Sequence, residues 1–286
     1  MGKRIEIIAE KEGRAVTFLS SSVAGLTRAK ADILIKSGEV KVNGARIKTN
    51  AVISNGDVVS VFVPDELQKS APNIKIVYED NNIVVFDKPK RVAYDALPEL
   101  YGAPLFAVHR LDTNTTGLIV FAKTEIALKE LSDAFKDRRV QKVYEAVVYP
   151  APQKDKDTLT AYTKLLHNQN LALVSLQPKP GYKTMVTDYE VKWRGNGAAV
   201  LRVFPHTGRT HQIRAHLGFV GCPIIGEHKY GAVGVRKFDG APDSQMLAAV
   251  ELTFFGLKGK MVYLNGRQFK IESGFDLGFL QSDDVR

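Results

Sequence analysis

From Ile74 onward the chain is a series of short apolar, β-branched runs with very little helical periodicity between them. Ile74–Tyr78, Ile83–Phe86, Gly117–Ala122, Lys142–Tyr149, Met185–Trp193 and Ala198–Phe204 all read as strands. Only Glu125–Arg138 and Thr210–Phe219 read as helices. In the first of these, Ile126, Leu128, Leu131 and Phe135 fall on or near one face. Parallel strands need crossovers of a dozen or more residues, usually helical, and too few helices exist to supply them. The pattern therefore predicts an α+β chain with a largely antiparallel sheet, not a doubly wound parallel one. No internal repeat or low-complexity segment interrupts it.

The segment before Ile74 has a different texture. From Arg14 to Pro64, Thr27 is a candidate N-cap for a helix over Arg28–Ser37. Ala29, Ile33 and Leu34 lie at helical spacing, and Gly38 stands where a C-cap belongs. Two alternating runs, Glu39–Val42 and Ala45–Lys48, flank Asn43-Gly44, a strong hairpin signal. The turn Asn55-Gly56-Asp57 leads into a strand over Val58–Val63. Arg28, Lys30, Lys36, Lys41, Arg46 and Lys48 crowd into this block. Asp65–Asn73, polar and holding Pro72, reads as a linker. The expected organisation is a small domain over 1–64, a linker over 65–73 and a large domain over 74–286.

Composition narrows the function classes. The 286 residues carry a formal net charge of +9 and are 44% hydrophobic, so a core is affordable and the chain is not disordered overall. A basic chain, with pI near 9.4, points to a polyanion: nucleic acid first, a membrane surface second. Cys222 is the sole cysteine, which excludes an intrachain disulfide and cysteine-based zinc sites and fits a reducing cytoplasm. Met1–Glu10 alternates polar and apolar residues without a signal-peptide core, and no window is apolar enough for a membrane helix. Glu6 fails the myristoylation pattern.

Two polar segments carry candidate chemistry. His109-Arg110-Leu111-Asp112-Thr113-Asn114-Thr115-Thr116-Gly117 precedes the apolar strand Leu118–Ala122. A polar loop at the mouth of a sheet is a natural site, though Asp, Thr and Asn also cap ordinary turns. A kinase reading fails: His-Arg-Leu-Asp has an inserted leucine, no glycine-rich phosphate loop precedes it, and Phe238-Asp239-Gly240 is in the wrong order. The second segment, His206 to His216, holds three histidines spaced five apart. That step turns about 140° on a helix, so they do not converge, and no thiolate or carboxylate cluster joins them. The better reading is a cationic helix start, with Arg209 at the N-terminal end where anions are favoured. On the strand Lys142–Val148, Tyr144 is either a half-buried core tyrosine or a base-stacking platform.

Together and in this order, these segments resemble the RluA-type pseudouridine synthases. The family's signature, His-Arg-Leu-Asp, two variable residues, then Thr-Ser-Gly, is matched by His109 to Gly117, with Thr116 for the serine. Gly208-Arg209-Thr210-His211-Gln212-Ile213-Arg214 matches a second motif, and Gly226-Glu227-His228-Lys229-Tyr230-Gly231 its closing pattern. Ile83 to Pro89 and the Lys142/Tyr144 strand match two more. The first block resembles the small RNA-binding domain named after ribosomal small-subunit protein four.

The resemblance implies the pseudouridine synthase fold, with a central mixed sheet, and isomerisation of uridine in RNA, ribosomal RNA ahead of transfer RNA, without metal or cofactor. Asp112 would be the catalytic carboxylate, acting on the ribose as nucleophile or base. Arg209 would pair with it and oppose the effect of burial. Tyr144 would stack on a uracil flipped out of its helix or loop. His109, Arg110, Leu111, Thr113, Thr116, Lys142, Thr210, His211, Gln212, Ile213 and Arg214 would contact substrate, with Leu111 and Ile213 as apolar wall. Arg28, Lys30 and Arg46 would hold RNA from the small domain. A monomer is expected. The chain departs from the family at Thr116, at Leu247-Ala248-Ala249 where Leu-His-Ala is frequent, at Arg14-Ala15-Val16 where Arg-Leu-Asp is common, and in a short stretch from Pro89 to His109 around Tyr94 and Asp95. A non-catalytic RNA-binding protein on the same scaffold is the alternative; a hydrolase pairing Asp112 with Asp95 is a distant third.

Overall fold

In the N-terminal block the sequence places its turns well. Gly38, at φ 77°, ends helix α2 (Arg28–Lys36). The Glu39 N–H reaches Leu34 O at 2.9 Å and the Gly38 N–H reaches Ile35 O at 3.0 Å, the paired bonds of a Schellman cap. Asn43 (φ 49°) and Gly44 (φ 82°) both take the left-handed values that a type I′ hairpin needs. They join β3 (Val40–Val42) to β4 (Ala45–Ile47) in the register Val40↔Ile47.

The computed structural model describes residues 2–23, 26, 28–64, 74–231, 238 and 240–280. The Thr27 cap and the linker Asp65–Asn73 lie outside them, as does the side chain of Ala29. The chain divides into two compact units, one within Met1–Asn73 with Glu99–Gly102, the other within Ile74–Pro98 and Ala103–Arg286.

In the smaller unit, α1 (Ala15–Ser22) and α2 pack on a four-stranded antiparallel sheet. Its order is β1 (Lys3–Ile8), β6 (Val58–Val63), β3, β4, and β2 (Gly13–Arg14) pairs separately with β5 (Val52–Ile53). The core includes Ala15, Leu19, Ala31, Leu34, Ile35, Val40, Ile53 and Val61. Ile33, expected on the buried face of α2, is 56% exposed; Ala31, Leu34 and Ile35 form that face.

The larger unit is built on one long sheet. Its strands run in the order β13 (Leu171–Ser175), β12 (Lys156–Leu166), β14 (Lys183–Gly195), β15 (Ala198–Pro205), β11 (Val140–Val148), β16 (Leu247–Phe254), β10 (Thr116–Ala122), β8 (Ile83–Lys88), β7 (Lys75–Glu79), with β9 (Phe106–Ala107) and β17 (Gln268–Lys270) attached. Every neighbouring pair is antiparallel except β10 with β16. The largely antiparallel sheet and α+β class follow the sequence expectation. Strands β12, β13 and β16 were not anticipated. Along β12, polar and apolar residues mix so that no run stands out, and in β16 Glu251 and Thr253 break the apolar run although the whole strand is buried.

The parallel pair brings two strand beginnings side by side, at Thr116↔Ala248 and Gly117↔Ala249. Gly117 has φ 103°, and a Cβ there would lie 2.2 Å from Ala249 O. Only glycine permits this approach. Helix α4 (Glu125–Lys136) follows a short α3 (Leu97–Tyr101) and is capped by Thr124, whose Oγ1 accepts the Ala127 N–H at 3.2 Å. Such a cap stabilises by about 1 kcal/mol. Its buried face is Ala127, Leu131 and Ala134; Ile126 is 54% exposed. Arg138, at φ 59°, marks the turn out of the helix, which stops two residues short of the predicted end. Helix α5 (Gln212–Phe219) buries Ile213 and Leu217 against Leu201, Val203 and Leu247.

Candidate active site

The loop before β10 is fastened at four points. Lys88, fully buried at the end of β8, donates to the carbonyls of Pro89 (2.9 Å), Val92 (2.8 Å) and Thr113 (3.0 Å). The Thr115 N–H closes a turn onto Asp112 O at 3.0 Å. Gln245 Nε2 donates to Thr115 Oγ1 at 2.8 Å, and Thr116 Oγ1 reaches Leu247 O at 3.5 Å. Burial lowers the Lys88 pKa to about 8, against the pull of Asp112 nearby.

His109 is part of this fastening. Its Nε2 accepts the Val120 N–H at 3.0 Å and its ring stacks on Phe135 at 4.4 Å. Burial, and then the charge of Lys142, push its pKa down to about 3, so it is a neutral strut at physiological pH. His109 lines the cleft, as expected of a substrate contact, with its Nε2 already taken by the Val120 N–H.

Asp112 stands in a cleft of about 430 Å³, within the usual range for a small-molecule site. Leu111, Arg110, Lys142, Tyr144, Arg209, Thr210, His211, Ile213 and Arg214 also line it, with Thr115, Arg138, Lys136, Ser132 and Leu247. The side chain of Asp112 is 18% exposed. Its Oδ2 accepts from Arg214 Nη1 at 2.8 Å, and His211 Nε2 lies 3.8 Å away.

The sequence expectation named Arg209 as the partner of Asp112, and the structure corrects this to Arg214. Helix α5 starts at Gln212, not Thr210, so Arg209 falls outside it, and the Arg209 Nε donates to Thr184 O at 3.0 Å. Arg214, in the first turn of α5, holds two carboxylates. Nε and Nη2 take Glu227 at 2.6 and 2.8 Å while Nη1 takes Asp112. Burial alone would weaken the grip of Arg214 on its proton, but Glu227 and then Asp112 outweigh it and raise the pKa. Conversely, burial would raise the carboxyl of Glu227, and the hydrogen bonds and charge of Arg214 bring it below its ordinary value.

Tyr144 lies on β11 between Val203 and Ala249, beside a bulge at which Val250 drops out of register. Burial, then the charge of Asp112, push its phenol pKa up, so the hydroxyl keeps its proton near neutral pH. Lys142, two residues earlier, is also lowered by burial. Arg110 is exposed, with its guanidinium 5.8 Å from the Tyr94 ring.

Gln212 also lines the cleft. Gln212 is saturated by its own loop: Oε1 accepts from Thr207 Oγ1 (2.7 Å) and the Arg209 N–H (3.0 Å), and Nε2 donates to Val186 O (2.9 Å) and Thr187 Oγ1 (3.1 Å). These bonds shape the loop at the cleft wall. Thr113 and Thr116 do not line the cleft; Thr115, between them, does. Asp95 is exposed and outside the cleft lining, which leaves the hydrolase pairing without support. The three histidines diverge: His206 to Asp188 at 2.6 Å, His211 to Tyr230 at 2.7 Å and His216 to Thr187 at 3.0 Å. Lys88, Glu227 and Tyr230 complete the site. Each stood inside a recognised motif but gave no local sign of its role.

A half-buried carboxylate clamped by an arginine, with a tyrosine in the same open cleft, marks the candidate site. Residues 73–218 match the RNA pseudouridylate synthase family. The ribosomal large subunit pseudouridine synthase C of Salmonella typhi is 31% identical over 268 residues, covering 83% of this chain and 81% of that protein. An RNA pseudouridine synthase of Chlorobaculum parvum is 32% identical over 247 residues, 77% of this chain and 75% of its own. The structure of human RNA pseudouridylate synthase domain containing 1 superposes with a TM-score of 0.56 at 25% identity, covering 72% of this chain and 92% of that one. The chain belongs to the RNA pseudouridylate synthase family. It is an isomerase that acts on RNA, converting uridine to pseudouridine.

Proposed function

We propose that the substrate is ribosomal RNA and that Asp112, Tyr144 and Arg214 form the reacting centre. In the reaction the bond from ribose C1′ to uracil N1 breaks, the uracil turns, and C1′ bonds to C5. The C5 proton leaves and N1 gains one, so atoms balance without a redox partner. Asp112 acts on the ribose, as nucleophile or as base, and either role needs the ionised carboxylate. The observation that carries this reading is the Arg214–Asp112 contact at 2.8 Å inside the cleft, a charge-assisted bond that holds the carboxylate in place. Tyr144 lines the same cleft, where its ring serves as a face for the uracil and its hydroxyl as a hydrogen-bonding end. A uridine stacked in RNA must be extruded to reach Asp112.

Ribosomal RNA is favoured because relatives from Salmonella typhi and Escherichia coli, among others, are named for the large ribosomal subunit. The basic N-terminal unit is read as an RNA-binding arm of the ribosomal-protein-four type, over 1–64 with a linker over 65–73. Arg28 and Arg46, exposed there, and half-buried Lys30 are its RNA contacts. A monomer acting in the cytoplasm suits such a substrate; among the described residues no helix is long and apolar enough to cross a membrane.

The test is tritium release from RNA labelled at uridine C5, with unmodified ribosomal and transfer RNA assayed separately. Release from ribosomal RNA by wild type, absent in Asp112→Asn, is the expected result. Release confined to transfer RNA overturns the substrate, and undiminished release by Asp112→Asn overturns the role of Asp112.

A further inference from the structure

His211 sits in an unusual position. Its backbone is left-handed (φ 55°, ψ 23°), a region that few residues besides glycine, asparagine, aspartate and histidine adopt, and its imidazole is only 4% exposed. The ring is wedged between two groups. On one side the Tyr230 hydroxyl lies 2.7 Å from Nδ1; on the other, Asp112 Oδ2 lies 3.8 Å from Nε2. Tyr230 is brought there by its backbone, which lies where a Cβ on Gly218 of α5 would stand, 2.0 Å from the Tyr230 carbonyl.

We infer that the Tyr230 hydroxyl fixes the tautomer of His211, so that His211 presents its Nε2–H to Oδ2 of Asp112 and acts as a positioning residue for the reacting carboxylate. The inference rests on Asp112 being the reacting group.

The proton inventory gives the direction. The Ala172 N–H donates to the Tyr230 oxygen at 2.8 Å. The phenol then has one hydrogen to give, and Nδ1 is the acceptor in reach. A neutral imidazole holds one N–H, so with Nδ1 accepting, the hydrogen is on Nε2. The ring is neutral because burial disfavours its charged form. Asp112 and Glu227 pull toward protonation, while Arg214 and Lys229 oppose it; together with Tyr230 these are the groups that face it.

The consequence concerns the two oxygens of Asp112. Arg214 and His211 both address Oδ2, and among the described residues no donor reaches Oδ1. Oδ2 is the anchored oxygen, and Oδ1 is the one left to meet the ribose. The 3.8 Å gap closes to a hydrogen bond when substrate fills the cleft, as catalytic contacts commonly tighten on binding.

Tyr230→Phe tests this cleanly. It keeps the ring that covers Arg214 at 5.4 Å and His211 at 5.6 Å and removes only the hydroxyl. With tritium release followed from about pH 5.5 to 8.5, kcat falls by about tenfold, the scale of one lost hydrogen bond to a charged group. KM stays within about twofold, and the acid limb moves to higher pH, because Nδ1 no longer gains from staying unprotonated. In His211→Asn, which tolerates the left-handed backbone, adding Tyr230→Phe produces no further shift. Nitrogen-15 spectra of histidine-labelled wild type show His211 protonated at Nε2. A Tyr230→Phe profile that superimposes on wild type, a loss equal at every pH, or His211 protonated at Nδ1 overturns the inference. Wild type that releases no tritium while His211 still shows the Nε2–H form fails the catalytic reading instead.

Discussion

Replacing Arg214 separates its role from that of Arg209, the arginine that local sequence suggests. Arg214 is 8% exposed, Glu227 1% and Asp112 18%, so all three charges sit largely out of water. Arg214 spends three N–H groups on two carboxylates. A lysine at this position reaches one carboxylate at a time, so Arg214→Lys loses at least one charge-assisted hydrogen bond, about 1.5–3 kcal/mol. Arg214→Met leaves both carboxylates unpaired and costs about 3–5 kcal/mol. The sign of the pH dependence follows from Glu227. In wild type its carboxyl is held below the ordinary 4.5, so its contribution is complete above that pH and is lost as pH falls through the lowered value. In Arg214→Met only the backbone N–H groups of Lys229 and His228 still oppose burial, so the carboxyl rises from its wild-type value, and the cost is absent at low pH and grows as pH rises through the raised value. The stability gap between wild type and Arg214→Met therefore widens from about pH 4 to pH 7. Urea melts at several pH values measure it, and tritium release reports activity. Arg214→Lys loses turnover by about tenfold or more, while Arg209→Ala changes stability by less than about 1 kcal/mol, its one side-chain bond being to a backbone carbonyl. A gap that is flat or narrows with pH, or full activity in Arg214→Lys, refutes the clamp.

Two further substitutions test the scaffold under the site. Lys88 has a folded pKa of about 8 against an ordinary 10.5, so the unfolded chain binds more protons in that interval and stability rises with pH across it; Lys88→Met removes this slope from urea melts, lowers stability by about 2–3 kcal/mol through three carbonyls left without a donor, and slows turnover. Gly117→Ala forces a Cβ to 2.2 Å from Ala249 O at φ 103° and costs more than about 4 kcal/mol by thermal or urea melt, whereas Gly13→Ala, with nothing within 4 Å, stays within about 0.5 kcal/mol.

Legibility followed the range of each signal. Turn chemistry was readable at Gly38 and Asn43-Gly44, because a positive φ is a property of one or two residues. Strand β10 was readable because it is central and buried along almost its whole length, which makes an apolar run. Strand β12, with alternate residues in water, made no run, and β16 was seen only as a motif position. Helix faces were half right. Leu131 and Leu34 point inward, but Ile126 and Ile33 do not, since the buried arc depends on where the helix meets the sheet. In the site, Asp112, Tyr144 and the second motif were legible as residue types in a fixed order. That His109 and Gln212 are struts was not, because a hydrogen-bonding side chain looks the same whether its partner is substrate or its own backbone.

The sequence by itself determined the residue types the cleft draws on: the carboxylate, the tyrosine, the histidine and two arginines each stand within one of three short motifs. The fold decided which of them meet. Asp112 and Arg214 are 102 residues apart in sequence, and their contact exists because β10 and β16 start side by side and α5 begins at Gln212, two residues before Arg214. Propensity and periodicity act over a turn or two of chain. The choice of Arg214 over Arg209, and of Glu227 and Tyr230 as their supports, depends on where separate elements pack, which no local pattern specifies.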